Sequence, residues 1–265
     1  FATVLLFSVC SHSYRLLCHP HYIVDIGKTQ FNMSLFYSNI RRRPRPGEIS
    51  LSHRGVLFLD ELPEFDKRTL EILRQPMEDG HVTISRSAGT FSFPAQFMMI
   101  GAMNPCPCGY YGFEEKGRSC HCAPYQVQRY AHRISGPLMD RVDLFCEARR
   151  IEYDDLTTKK EVENSYTIRE RVLKAREFQQ ERYKSTEIKN ADLTPAQIKK
   201  FCCLDIDASK LMAEAYEKLK LSARAYSRMM KVSRTIADLD LSENIEEKHL
   251  AEALQFRTIP LFQRS

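Results

Sequence analysis

Two short runs constrain the fold of this chain more than anything else in it. Val56-Leu57-Phe58-Leu59 and Phe97-Met98-Met99-Ile100-Gly101-Ala102 are apolar throughout, with no polar alternation. A strand with one face in water alternates, so a strand without polar positions is buried on both faces, as in a parallel sheet covered by helices. Pro44, Pro46 and Gly47 mark a turn ahead of the first run, and Pro63 stops it. Asp66 then caps a predicted helix with Leu70, Leu73 and Met77 on one face, closed by Pro76 and Gly80. HVTISRSAGTFSF reads as a hairpin turning at Ser87-Ala88-Gly89, with Arg86 near its tip. The second run ends at Met103-Asn104-Pro105.

Beyond residue 155 the pattern becomes helical. Ile168, Val172 and Ala175 recur at helical spacing in a highly charged stretch. Ala208, Leu211, Met212, Ala215, Tyr216 and Leu219 share one face, and Ala225, Met229, Val232, Ile236 and Leu239 share another. Leu250, Ala253 and Leu254 mark a last helix. The chain therefore reads as α/β first and all-α second.

The net charge of +5 is not spread evenly. Residues 1–54 hold seven Lys and Arg against Asp25 and Glu48, with four of the seven at Arg41, Arg42, Arg43 and Arg45; the rest of the chain balances. Net charge by itself thus gives no argument for nucleic acid. No window approaches the ~18 apolar residues of a membrane span. The opening FATVLLFSV has neither a basic region before it nor a cleavage site after it, so it does not read as a signal peptide, and the cytoplasm is the default. The first residue is not Met, and the chain reads as a fragment.

The two buried runs end in polar side chains at their carboxyl ends, where open α/β sheets place their ligands. Of the acids after Leu59, Asp60 can hold Mg²⁺ and Glu61 can orient and deprotonate an attacking water. An acidic turn after a core strand is the plain alternative. Asn104 can hydrogen-bond that water or a γ-phosphate, or simply serve as the turn residue before Pro105. Further on, SGPLMDRVDL sets Arg141 between two aspartates in a polar turn, from which a long cation is expected to project outward.

The stretch from PRPGEISLSHRGVLFLDELPEFDKRTLEILRQPMEDG through FMMIGAMNPCPCGYYG, then QRYAHRISGPLMDRVDL and LSARAYSRMMKVSRTIADL, resembles magnesium-chelatase-like AAA+ proteins of the ComM (YifB) family over about residues 44–258. The resemblance implies a partial AAA+ P-loop-NTPase core with a β-hairpin insertion over 44–155, an all-α lid over 156–265, and no assignment for 1–43. It implies ATP and Mg²⁺ as cofactors, with Asp60 and Glu61 as the Walker B pair and Asn104 as sensor 1. Arg141 would be the arginine finger and Arg224 sensor 2, with Arg228 on the same helical face as the fallback for nucleotide contact. It also implies a hexameric ring, DNA as partner and branch migration in natural transformation, with the hairpin over Ser85–Phe93 pointing into the pore.

One family element is unreadable. Gly27-Lys28-Thr29 resembles the end of a phosphate loop, but G-x-x-x-x-G-K-[ST] requires glycine where Tyr22 stands, and no apolar strand is expected before it. An impaired ATPase is the expectation. Cys106-Pro-Cys108 and Cys120-His-Cys122 read as four thiolate ligands for a structural Zn²⁺. Four reduced cysteines, or His121 in place of one ligand, stay open as alternatives. Two further readings compete with the motor. One is the ATPase subunit of a magnesium chelatase, against which the cysteine cluster argues; the other is a non-enzymatic module that joins rings.

Overall fold

The computed structural model describes residues 45–86, 89–112, 119–148 and 163–257, together with the backbone of 3–9, 23–26 and 37–38. Of Arg86 it describes the backbone alone. The chain falls into two compact units, which divide between Arg150 and Ile151.

The first unit is built on a five-stranded sheet. Its strands are β1 (Thr3–Val9), β2 (Ile23–Ile26), β5 (Val56–Leu59), β8 (Met98–Met103) and β9 (Leu144–Ala148), in the order β2-β5-β8-β1-β9. Two short strands, β3 (Tyr37–Ser38) and β4 (Arg45–Pro46), pair apart from it, and the single helical turn α1 (Glu48–Leu51) follows β4. β2, β5 and β8 run parallel, with Ile26 opposite Leu59 and Leu59 opposite Gly101. Leu57, Leu59 and Met99 are at most 1% exposed, while the alternate positions Val56, Phe58, Met98 and Ile100 are only partly buried, so the expected burial of both faces holds in part.

β1 is the exception. It lies antiparallel to β8, with Val4 opposite Met103 and Val9 opposite Met98, and antiparallel to β9, with Thr3 opposite Ala148. An otherwise parallel sheet thus holds one reversed strand in its interior rather than at its edge. The start of β1, not its end, faces the edge where β5 and β8 terminate. The segment FATVLLFSV, read above only as a short apolar opening, supplies this strand.

Between β5 and β8 lie α2 (Lys67–Ile72), α3 (Arg74–Asp79) and the hairpin β6 (His81–Arg86) with β7 (Gly89–Pro94). Where one helix was expected there are two: Asp66 caps α2 by accepting from the Arg68 amide, Pro76 lies inside α3 rather than closing it, and Gly80 closes α3 in the left-handed region at φ 69°. Leu70, Leu73 and Met77 are buried in one core with Leu57, Leu59, Phe97 and Met99. The hairpin pairs His81 with Pro94 through Arg86 with Gly89, while its turn at 87–88 and the Arg86 side chain lie outside the described residues.

The second unit is helical over Ser165–Tyr183, Pro195–Phe201, Ile206–Lys218, Ala223–Leu239 and Glu247–Gln255. Ala208, Met212, Met229, Ile236, Leu250 and Ala253 share its core. Three expectations need correction. Tyr216, Ile168 and Leu239, expected on apolar faces, are exposed, and the long first helix buries only Ala175 and Gln179.

Candidate functional site

The geometry of β5 and β8 brings three of the expected residues to one sheet edge. Leu59 is opposite Gly101, so β8 runs two residues past the end of β5 before reaching Asn104. Asp60 is exposed, and Glu61 and Asn104 are partly buried, so all three meet solvent at the carboxyl edge. Glu61 stands in the left-handed region at φ 51° and ψ 45°. For a non-glycine residue this costs of order 1–3 kcal/mol, a strain that clusters at functional turns. Its N–H donates to Asp60 Oδ1 at 2.8 Å, which directs the Asp60 carboxylate back over the turn. The single 3-10 turn Leu62–Glu64 follows, closed by the Glu64 N–H on the Glu61 carbonyl at 2.7 Å.

A second element holds that turn from outside. Helix α4 (Pro124–Ala131) buries Val127, Tyr130 and Ala131, and just past its end Arg133 reaches back across the chain. One guanidinium nitrogen, Nη1, donates to the Pro63 carbonyl at 3.1 Å and to Glu64 Oε2 at 2.9 Å. Burial, reinforced by the charges of Glu64 and Glu61, pushes the Tyr130 phenol up to about 12. Sequence reasoning missed both residues. The only available signal was the i, i+3 spacing of Tyr130 and Arg133 at the end of an amphipathic helix.

The four cysteines converge. Cys106, Cys108, Cys120 and Cys122 bring their sulfurs within 4.8 Å of one another, and Cys106 is fully buried. Cys106 Sγ lies 3.2 Å from Cys108 Sγ and 3.7 Å from Cys120 Sγ, and Cys108 and Cys120 are 3.6 Å apart. A tetrahedral zinc with Zn–S bonds of about 2.3 Å has edges of about 3.8 Å, so the donor set fits that ion. All four are free thiols, and His121 is not among the gathered ligand atoms. Burial pushes the Cys120 thiol up to about 12. At Cys108 the backbone amides of Tyr110 and His121 and the Cys106 thiol outweigh burial and bring the thiol down to about 6.

Arg141 departs from expectation. It does not project outward: the residue is 3% exposed, its Nη2 lies 2.7 Å from Glu78 Oε1, and its Nη1 donates to the Pro137 carbonyl. The cause is local. Helix α5 (Gly136–Met139) carries Leu138 into the core, Val142 follows it there, and Arg141 is drawn in between them toward Glu78 at the end of α3. The second expectation corrected here concerns Gly27. A strand, β2, does precede it, and runs parallel to β5, while residues 27–29 lie outside the described residues.

Comparison with known proteins follows this geometry. Residues 24–156 match the model of magnesium chelatase subunit ChlI, and residues 162–257 match that of its C-terminal domain. The chain belongs to the magnesium-chelatase-like family of ComM and YifB. It is 46% identical over 217 residues to the competence protein ComM of Haemophilus influenzae. It is 43% identical over 217 residues to YifB of Salmonella typhimurium and 44% identical over 218 residues to YifB of Escherichia coli. Each match covers 82% of this chain but only 41–42% of the relative. The chain thus spans well under half the length of these magnesium-chelatase-like relatives.

As in the family's domain order, the remaining expected residues fall in the second unit. Arg224 is exposed and Arg228 half-buried, four residues apart on the helix Ala223–Leu239, which Ser222 caps through the Ala225 amide. Farther along this helix Arg234 and Asp238 are fully buried and joined to Arg182 and Asn190. Nothing in the sequence reading anticipated them, because charged residues on an amphipathic helix read as its wet face. Among the described residues no helix is long and apolar enough to cross a membrane.

Proposed function

We propose that this chain provides the hydrolysis half of an ATP-driven AAA+ ring motor acting on DNA, of the kind that drives branch migration during natural transformation. The observation that carries it is the delivery of Asp60, Glu61 and Asn104 to one sheet edge by two parallel buried strands. In this reading Asp60 holds Mg²⁺ of the bound ATP, Glu61 activates water, and Asn104 orients that water against the γ-phosphate. Arg141 acts in trans as the finger of a hexameric ring, and Arg224, with Arg228 beside it, contacts nucleotide as sensor 2. The divisions at 43 and 155, the cytoplasmic location and DNA as partner belong to the same proposal. Four thiolates would hold one structural Zn²⁺, leaving it no open position for catalysis.

The reversed β1 favours a second reading for the chain by itself. Its carboxyl end points away from Asp60, whereas a phosphate loop follows directly on the carboxyl end of its strand. A module that joins rings without turning over ATP fits that polarity. A magnesium-chelatase ATPase subunit is favoured less, because the cysteine cluster serves no step of metal insertion.

Titration with ATP·Mg²⁺ separates these readings. The chain alone should bind weakly and hydrolyse negligibly. Joined to an upstream phosphate loop it should hydrolyse ATP, and Glu61→Gln should keep binding while lowering turnover about 10²–10⁴-fold. Robust turnover by the chain alone, lost in Glu61→Gln, would mean that residues 1–40 supply a phosphate site.

A further inference from the structure

Glu61 occupies a backbone region that persists only where its surroundings enforce it. The bond from its N–H to Asp60 joins adjacent residues, so that bond does not tie the turn to the rest of the fold. Leu62 and Pro63 are buried and hold one side. The opposite side is held by Arg133, which fastens the Pro63 carbonyl and the Glu64 carboxylate with one nitrogen.

Arg133 is itself tied to the cysteine cluster through the chain. Cys122 lies two residues before Pro124, the first residue of α4, and Arg133 two residues after its last. Cys106 lies two residues after Asn104. A closed four-thiolate centre therefore fixes the end of β8 and the start of α4 to one point. Tyr130, buried one turn before Arg133 on the same side, packs that helix where the charges of Glu61 and Glu64 reach it.

We propose that Arg133 is a positioning residue for Glu61, and that it transmits the state of the four-cysteine centre to the hydrolysis turn. The second clause rests on the zinc reading above; the first does not. The Arg133–Glu64 pair is half exposed at 50% and 41%, so it contributes little to global stability, and its effect belongs in local exchange.

Amide hydrogen exchange on the chain as it stands tests this, with zinc content measured in every sample. The reporters are the Glu64 amide, bonded to the Glu61 carbonyl, and the Phe65 amide, bonded to the Leu62 carbonyl. Arg133→Gln should speed exchange at both by about fivefold while zinc content and the β5 and β8 amides stay unchanged. Arg133→Lys should recover part of that protection, since it keeps the charge. Removing zinc with EDTA should speed the same two amides in the parent protein and add nothing in Arg133→Gln. Unchanged reporters in Arg133→Gln overturn the positioning role. Additive effects of chelation and substitution overturn the transmission. A parent protein without zinc overturns the metal reading and the transmission together, while the Arg133→Gln arm still decides positioning. Should Arg133→Gln fail to fold, Glu64→Ala removes only the exposed acceptor and reads the same two amides.

Discussion

Arg141 and Arg234 are both buried, and they are held in different ways. In the second unit Arg234 Nε meets Asp238 at 3.0 Å, Nη1 the Glu243 carbonyl at 2.7 Å, and Nη2 the Ser242 carbonyl. Asp238 also accepts from Arg182 and from Asn190, and neither Arg234 nor Asp238 is exposed at all. In the first unit Arg141 is held by Glu78, which keeps 36% of its side chain in water, and by one carbonyl of its own turn. A buried cation whose three nitrogens are all engaged by enclosed partners is part of the framework. The counter-charge of Arg141, by contrast, sits partly in water. In the proposed function Arg234 is framework and Arg141 is available as the finger.

The largest expected effect tests that availability. In a form carrying an upstream phosphate loop, Arg141→Ala should leave ATP binding largely intact and lower hydrolysis about 10³–10⁵-fold. Mixing these subunits with Glu61→Gln subunits should restore part of the activity, since a normal acid can then meet a normal finger. Normal hydrolysis by Arg141→Ala would make the Glu78 pair its whole role and erase the contrast with Arg234.

Next in size is the framework side. Asp238→Ala leaves Arg234 and Arg182 without their shared counter-charge, and breaking a buried pair costs about 3–5 kcal/mol. Urea denaturation followed by helical circular dichroism should show the second unit losing that much. A loss below about 1 kcal/mol would mean that Arg234 finds other partners, and that the two arginines are held alike.

In the proposed reading the cysteine cluster is a third kind of polar site, closed by an ion rather than by protein. Purified protein should carry about one zinc per chain. Cys106→Ser should release the metal and loosen residues 104–112, leaving the second unit's denaturation unchanged. Metal analysis finding no zinc in protein prepared without chelators would remove this site from the comparison.

What the sequence made legible follows from how each signal is written. Uninterrupted apolar runs announced β5 and β8, Asp66 and Gly80 announced the ends of α2 and α3, and cysteine spacing announced the thiol cluster. β1 and β2 were not legible. Thr3–Val9 is mostly apolar, but with no turn residues bounding it, nothing in the text assigned it a direction or neighbours. Arg141, Arg133 and Arg234 were legible as cations but not as partners, since Glu78, Glu64 and Asp238 lie 63, 69 and 4 residues away. Even the four-residue pair was lost, because helical patterning assigns both members to solvent.

The smallest effect contrasts two uses of cysteine. Cys202, 4% exposed in the second unit, is pushed up from 9.0 to about 11, mainly by burial. Its folded pKa is raised above the unfolded value, so the folded state keeps the proton longer. The stability this contributes is fully present below about pH 9 and is lost as pH rises toward 11. At pH 10 the loss should be of order 1 kcal/mol, close to one pKa unit's worth. Cys202→Ala should be less stable at pH 7, where packing is lost, yet its stability should stay nearly flat from pH 8 to about 10. Tyr183, pushed up from 10.0 to about 12 chiefly by burial, adds its own alkaline loss above that window, and both proteins should share it. A parent protein as flat as Cys202→Ala up to pH 10 would mean that water reaches Cys202 in the folded state. The contrast between an inert buried thiol and four thiols gathered for an ion would then rest on the first unit alone.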